Sequence, residues 1–146
     1  MVKPPRSIHP SLSELLDTLT VYQIKEIMDA SNSESYAEES RAIESDIDDL
    51  LEVSDIHSIG DFLRLVVALS QVNLHIWYVK EEMQKYPERF DECTKLGHQL
   101  NGIRNQLKNR ILTATQGVEQ SGVRTNLGTD GLEGWRLSIL DGDPGS

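Results

Sequence analysis

The segment DFLRLVVALSQVNLHIWYV, residues 61–79, is the most apolar stretch of the 146-residue chain. Its apolar residues fall on more than one face of a helix, which is typical of an element surrounded by other helices. Ser58 can cap this helix, and Asp61 then lies in the first turn, near the positive end of the helix dipole. Tyr86 precedes Pro87, and a residue before proline disfavours the helical conformation. We therefore predict a central helix from Ser58 to about Tyr86.

Membrane insertion and secretion are not expected from this sequence. The longest unbroken apolar run extends only from Leu65 to Leu69, whereas a bilayer requires about twenty apolar residues. Residues 1–10 contain three prolines and lack the apolar core of a signal peptide, so we predict an extended arm there. The single cysteine, Cys93, cannot form a disulfide within the chain, which favours a reducing compartment. We expect a cytoplasmic protein.

Two further helices are predicted on either side of the central one. The first begins at Ser11, which forms a capping box with Glu14. Thr20 and Gln23 repeat that pattern, so the segment is either one helix or two short ones with a bend. Pro87 is well suited to the first position of another helix, whose apolar seam recurs at intervals of three and four at Cys93, Leu96, Leu100, Ile103 and Leu107. We predict an all-α fold, an antiparallel bundle of four main helices.

The remaining helix, from about Glu34 to Val53, is strongly acidic. Between Asp29 and Asp61 there are eleven carboxylates and one base, Arg41, so this stretch carries the entire formal net charge of −10. Its apolar stripe is formed by Tyr36, Ile43, Ile47, Leu50 and Leu51. Like charges at three- and four-residue spacing weaken a helix, so its stability must come from packing or from external cations.

Three interpretations of the acidic helix remain open: a solvated outer face, a docking surface for a basic protein, and a mimic of nucleic-acid phosphates. In the second, the partner is a separate protein or another copy of the chain, whose fourth helix carries four bases between residues 94 and 117. The residues predicted to bind a partner are Glu38, Glu44, Asp48, Asp49 and Glu52. Direct binding to nucleic acid is not expected, because phosphate contacts require Lys and Arg.

The C-terminal residues differ in composition from the bundle. Seven of the ten glycines lie between residues 117 and 145, which indicates that regular helix ends near residue 116. Trp135, Leu137 and Ile139 alternate with polar residues, which predicts a short strand, and residues 129–131 could turn a hairpin that pairs it with residues 123–127. We expect an arm at 1–10, a bundle at 11–116 and a tail at 117–146. The three apolar residues are also predicted to bind a partner or the protein's own bundle.

An enzymatic alternative depends on four residues, Glu52, Asp55, His57 and Asp61, which are hard or borderline ligands within ten positions. Such oxygen-rich clusters suit Mg²⁺ or Mn²⁺. The sequence IGDFL at 59–63 resembles the second metal motif of the all-α (MazG-type) nucleotide pyrophosphohydrolases. In that family a glutamate lies three residues before the aspartate, where this chain has Ser58. The family's first motif, carboxylates three apart, has no clean match around Glu38 and Glu39, because position 42 is alanine.

The favoured function is therefore a non-enzymatic interaction or adaptor module. Its acidic helix would select the partner, and the apolar seam and tail would supply contact area for self-association or for that partner. No cofactor is expected, apart from Mg²⁺ under the pyrophosphohydrolase alternative. The third hypothesis is an acidic mimic that blocks a DNA- or RNA-binding protein.

Overall fold

The computed structural model describes residues 10–115 and 137–141, and it confirms the all-α fold. Within these ranges four α-helices follow one another, and no strand occurs. They are α1 (Leu12–Met28), α2 (Ser33–Val53), α3 (Ile59–Lys85) and α4 (Phe90–Ala114). Single turns of 3-10 helix lie at Ala30–Asn32, Pro87–Arg89 and Ser138–Leu140. The predicted arm lies outside the described residues except for Pro10.

α1 is one continuous helix. Ser11 caps it as predicted, since its hydroxyl accepts the backbone N–H of Glu14 at 3.1 Å. The second capping box does not start a new helix. The hydroxyl of Thr20 instead donates to the Asp17 carbonyl at 2.8 Å and accepts from the Asn73 amide at 2.7 Å. A side chain engaged with the preceding turn and with α3 cannot cap the residues that follow.

α3 is the central helix that its composition predicts. Ser58 caps it by accepting the N–H of Asp61 at 3.3 Å. α3 packs against both α1 and α4, and Leu65, Leu69 and Val72 are completely buried. Burying a side chain of this kind contributes about 1.5–3 kcal/mol, so α3 holds the bundle together.

α4 begins slightly later than predicted. Pro87 opens a turn of 3-10 helix, in which the Arg89 N–H bonds to the Tyr86 carbonyl at 2.9 Å, and the α-helix follows from Phe90. Four residues of the predicted seam are buried, and Leu96 is partly buried beside them. The seam therefore faces the core of its own bundle, and the prediction that it supplies contact area for a partner or a second copy is wrong.

α2 occupies the edge of the bundle. It packs along α1, and its backbone approaches no other long helix in the described part of the chain. Only Ser40 and Ile47 are buried over its 21 residues, while Ile43, Leu50 and Leu51 are partly buried against the core. Most of the α2 surface consequently faces solvent.

Residues 137–141 lie against the bundle. At residues 138–140 the predicted strand is replaced by a turn of 3-10 helix, which packs against α3 and α4. Ile139 is buried there, and the Arg64 guanidinium donates to the Ser138 hydroxyl at 2.8 Å. The predicted hairpin at 123–131 lies outside the described residues.

Candidate interaction surface

The exposed side of α2 carries a dense set of carboxylates. Eight acidic residues and one base, Arg41, lie between Ser33 and Val53. The five residues predicted to bind a partner are all exposed: Glu38, Glu44, Asp48, Asp49 and Glu52. Glu44, Asp48 and Glu52 recur at four-residue intervals and therefore follow one another along one side of the helix, about 6 Å apart. We call these three residues the acidic row.

The fold does not neutralise this surface. Within residues 10–115 and 137–141, none of the ion pairs involves a carboxylate of α2. Glu39 accepts a hydrogen bond from the Tyr22 hydroxyl, and this bond raises the pKa of Tyr22. Lys25 lies over the rings of Tyr22 and Tyr36, at 5.9 and 5.7 Å from their centroids, so it interacts with aromatic rings at this end of α2. Arg41 lies three residues before Glu44, but among the described residues no cation forms an ion pair with the acidic row.

Two of the four basic residues of α4, in contrast, pair with carboxylates of α1. The Arg104 guanidinium makes two hydrogen bonds to the Asp17 carboxylate, and the Lys108 ammonium lies 2.9 Å from a Glu14 oxygen. Lys108 also approaches Asp17 at 3.6 Å. The hypothesis that α4 offers four bases to the acidic helix of a second copy is thus weakened, since two of the four already bind α1.

Asp17 is the centre of a buried polar cluster that joins three helices. Its side chain is 3% exposed. One carboxylate oxygen accepts from the Asn73 amide and from Arg104 Nε, both at 2.9 Å, and the other accepts from Arg104 Nη2. Thr20 completes the cluster by accepting from the same Asn73 amide. Buried charges are tolerated when they are paired and fully hydrogen-bonded in this way.

The environment of Asp17 lowers the pKa of its carboxyl group. Burial on its own raises this pKa, but hydrogen bonds from Arg104 and Asn73 and the charges of Arg104 and Lys108 more than offset it. The sequence pattern did not lead to a prediction of this cluster. A signal was present, because Asp17 follows two buried leucines and Asn73 interrupts the most apolar helix. Unlike the α2 carboxylates, Asp17 supports the fold and is inaccessible to a partner.

The four residues of the metal hypothesis are spread along the connection between α2 and α3. Glu52, Asp55 and His57 are exposed, and Asp61 is partly exposed. Among the described residues, no group of three or more His, Cys, Asp or Glu side chains could hold a metal ion. The geometry therefore offers no support for the Mg²⁺ site. Cys93 is buried in the core.

The outward side of α3 is apolar and exposed. Ile59, Leu63, Val67 and Tyr78 are between 45% and 66% exposed, and together we call them the outer stripe. Helical spacing places them on one broad face, opposite the buried face that contains Leu65. By length and composition α3 is also apolar enough to span a bilayer. The central helix of a water-soluble bundle satisfies the same criteria.

Two of the three apolar residues predicted to bind a partner through the tail lie against the bundle. Ile139 is buried and Leu137 is partly buried against the bundle. Trp135 lies outside the described residues. Ile139 consequently contributes to the core of its own chain.

Comparison with protein families, characterised proteins and solved structures finds no match for this chain.

Proposed function

We propose that the chain is a non-enzymatic protein-interaction module that uses the exposed carboxylates of α2 to recruit a cationic protein. The observation that carries this proposal is the difference between α2 and the other helices. Carboxylates of α1, α3 and α4, among them Asp17, Glu82 and Glu92, pair with bases of the same chain. The acidic row has no such partner in the described residues. Complementary electrostatic fields steer encounters and select partners.

The energetic cost of the acidic row supports the same proposal. Like charges four residues apart destabilise a helix by about 0.2–0.5 kcal/mol per pair, and the row contains two such pairs, Glu44 with Asp48 and Asp48 with Glu52. Interspersed charges of both signs would keep the surface soluble without this repulsion. α2 also buries little area that would compensate. The clustering of one sign is therefore better explained by recognition than by solubility.

Self-association is a second part of the proposal. Because Arg104 and Lys108 bind α1, it would have to use a surface other than the basic face of α4. Sedimentation velocity on the purified protein at several concentrations measures it directly.

Affinity capture from the native source tests the proposal. We expect the wild-type chain to retain a basic protein at 50 mM salt and to release it at 500 mM, because exposed charges are screened over the shorter Debye length. The variant E44Q/D48N/E52Q should lose at least 90% of this capture. A captured DNA- or RNA-binding protein that nucleic acid displaces would favour the mimic hypothesis.

The matched control is E81Q/E88Q/D91N, which removes the same charge from exposed residues outside α2. It should capture at least half as much as the wild type. Equal losses of capture in both variants would mean that only the net charge of the chain matters, and this would contradict recognition by α2. Capture that does not change with salt would contradict it as well.

A further inference from the structure

The outer stripe has the length of a helix-binding site. Tyr78 follows Ile59 by 19 residues, and at a rise of 1.5 Å per residue the stripe extends over about 28 Å. Val66 and Leu74 are partly buried between the exposed members. A straight helix of about 20 residues would cover the stripe along its whole length.

We propose that the outer stripe binds an amphipathic helix of another protein, and that this helix carries its basic residues at the end that lies over Ile59. The proposal rests on the proposed function, since the cationic partner of α2 is taken to supply the helix. Its apolar residues would cover Leu63 and Val67, and its basic residues would contact the acidic end of the stripe. Helix-in-groove recognition commonly uses apolar anchors of this kind.

The charge around the stripe is unequal at its two ends, and this difference sets the direction of the partner. Asp55 lies four residues before Ile59, so the Cα atoms of the two residues are at most about 14 Å apart. It is exposed, as is Glu52 at the end of the acidic row. At the other end, beyond Tyr78, Lys80 and Lys85 are interspersed with Glu81 and Glu82. Asp61 and the exposed Arg64, both near the start of α3, offset each other, so the Ile59 end keeps an excess of two negative charges and the Tyr78 end has none.

The same charges argue against two other occupants. A second copy would bring another formal net charge of −10 to the stripe, and the two acidic surfaces would repel each other. A bilayer with anionic lipids would be repelled for the same reason. A basic helix is attracted at the N-terminal end of the stripe and also covers its apolar side chains.

Thiol accessibility tests the proposal directly. The only native cysteine, Cys93, is buried, so Leu63→Cys supplies a single reactive position on the stripe. We expect fast modification by Ellman's reagent in the isolated protein. Modification should slow at least tenfold when a helical 21-residue peptide is added that has a leucine face and four lysines at one end. A peptide with glutamates in place of the lysines should give no protection.

Two matched controls separate the stripe and its acidic end from general effects. Ile27→Cys, at another exposed apolar position at the end of α1, should react at the same rate with and without the peptide. In the Leu63→Cys background, E52Q/D55N should lower the affinity for the peptide at least threefold at 50 mM salt. The equal charge change E88Q/D91N, at exposed residues beyond the other end of α3, should weaken peptide binding less than twofold.

Several outcomes would overturn the proposal. Slow modification of Leu63→Cys in a monomeric protein would mean that the chain covers its own stripe. A modification rate that falls as the protein concentration rises would mean that a second copy covers it. Protection of both cysteines, or absence of protection, would exclude a specific peptide site. If protection fails while capture still depends on the acidic row, the proposed function stands. If both fail, the proposed function falls too.

Discussion

The contact between α1 and α4 and the outer face of α2 use charged residues in opposite ways. Asp17 is buried and accepts hydrogen bonds from Arg104 and Asn73, so its charge joins helices of the same molecule. Asp48 is exposed and is flanked by Glu44 and Glu52, so its charge is repelled by its own helix. The comparison teaches that net charge alone does not reveal function. What matters is which carboxylates the fold leaves without a cation.

The largest effect should come from removing the buried carboxylate. Asp17→Ala leaves the Arg104 guanidinium and the Asn73 amide without their shared acceptor. Breaking a buried ion pair costs about 3–5 kcal/mol, and we expect about 3 kcal/mol because the Arg104 side chain, 30% exposed, can partly reach water. Urea unfolding measures this loss as a lower midpoint with an unchanged slope.

Asp48→Ala is the matched change on α2 and should not lower the free energy of unfolding; because it removes two repulsive pairs, it should raise this free energy by no more than about 1 kcal/mol. A loss at Asp48 as large as that at Asp17 would contradict the comparison, since it would show that α2 charges also hold the fold together.

A pH dependence of stability should distinguish Asp17 from the exposed acids. Because folding lowers the pKa of Asp17, its ionised form contributes stability above the unfolded-state pKa of about 3.9, and this contribution is lost as the pH falls through the folded-state pKa. The difference in unfolding free energy between wild type and Asp17→Asn should stay constant from pH 5 to 8 and shrink below about pH 4. Comparing the two proteins cancels the titration of all other carboxylates. A difference that changes between pH 5 and 8 would contradict the assignment.

The smallest effect should be a gain in stability on α2. Asp48→Lys converts two repulsive pairs, with Glu44 and Glu52, into attractive ones, and should raise the free energy of unfolding by about 1 kcal/mol at low salt. Asp48→Gln removes only the repulsion and should give about half of that. Both gains should nearly vanish in 1 M NaCl, where the Debye length is about 3 Å. Thermal unfolding at the two salt concentrations would show an unchanged gain if electrostatics were not the cause.

Much of the fold could be predicted from short stretches of sequence. The caps at Ser11 and Ser58 and the spacing of the apolar face of α4 are confirmed, because a cap and the N–H that it accepts lie three residues apart and a helix face repeats every three or four. The use of that face was predicted wrongly, since four of its five seam residues are buried in their own bundle. The sequence left open whether the helix bends at Thr20, because the residue that decides it is Asn73, 53 positions away. The pairing of Asp17 with Arg104 spans 87 positions and has no local signature.

The candidate interaction surface likewise has a part that the sequence predicts and a part that it does not. The exposure of the five carboxylates followed from their opposition to the apolar stripe of α2, and the structure places all five at the surface. The outer stripe could not be anticipated, because an apolar helix with more than one apolar face looks central from every side. Its exposure depends on where α2 lies, and α2 follows α1 instead of covering α3.

Four helices, the caps of α1 and α3, and the concentration of a −10 charge in one segment follow from the amino-acid sequence alone. These properties depend on neighbours within one or two turns, and such neighbours are adjacent in the chain. Tertiary packing was needed to pair Arg104 with Asp17 and Lys108 with Glu14. It also leaves the carboxylates of α2 in solvent and the outer stripe of α3 exposed. Those outcomes depend on which distant segments meet, because a charge is neutralised, or an apolar side chain buried, only by what packs against it.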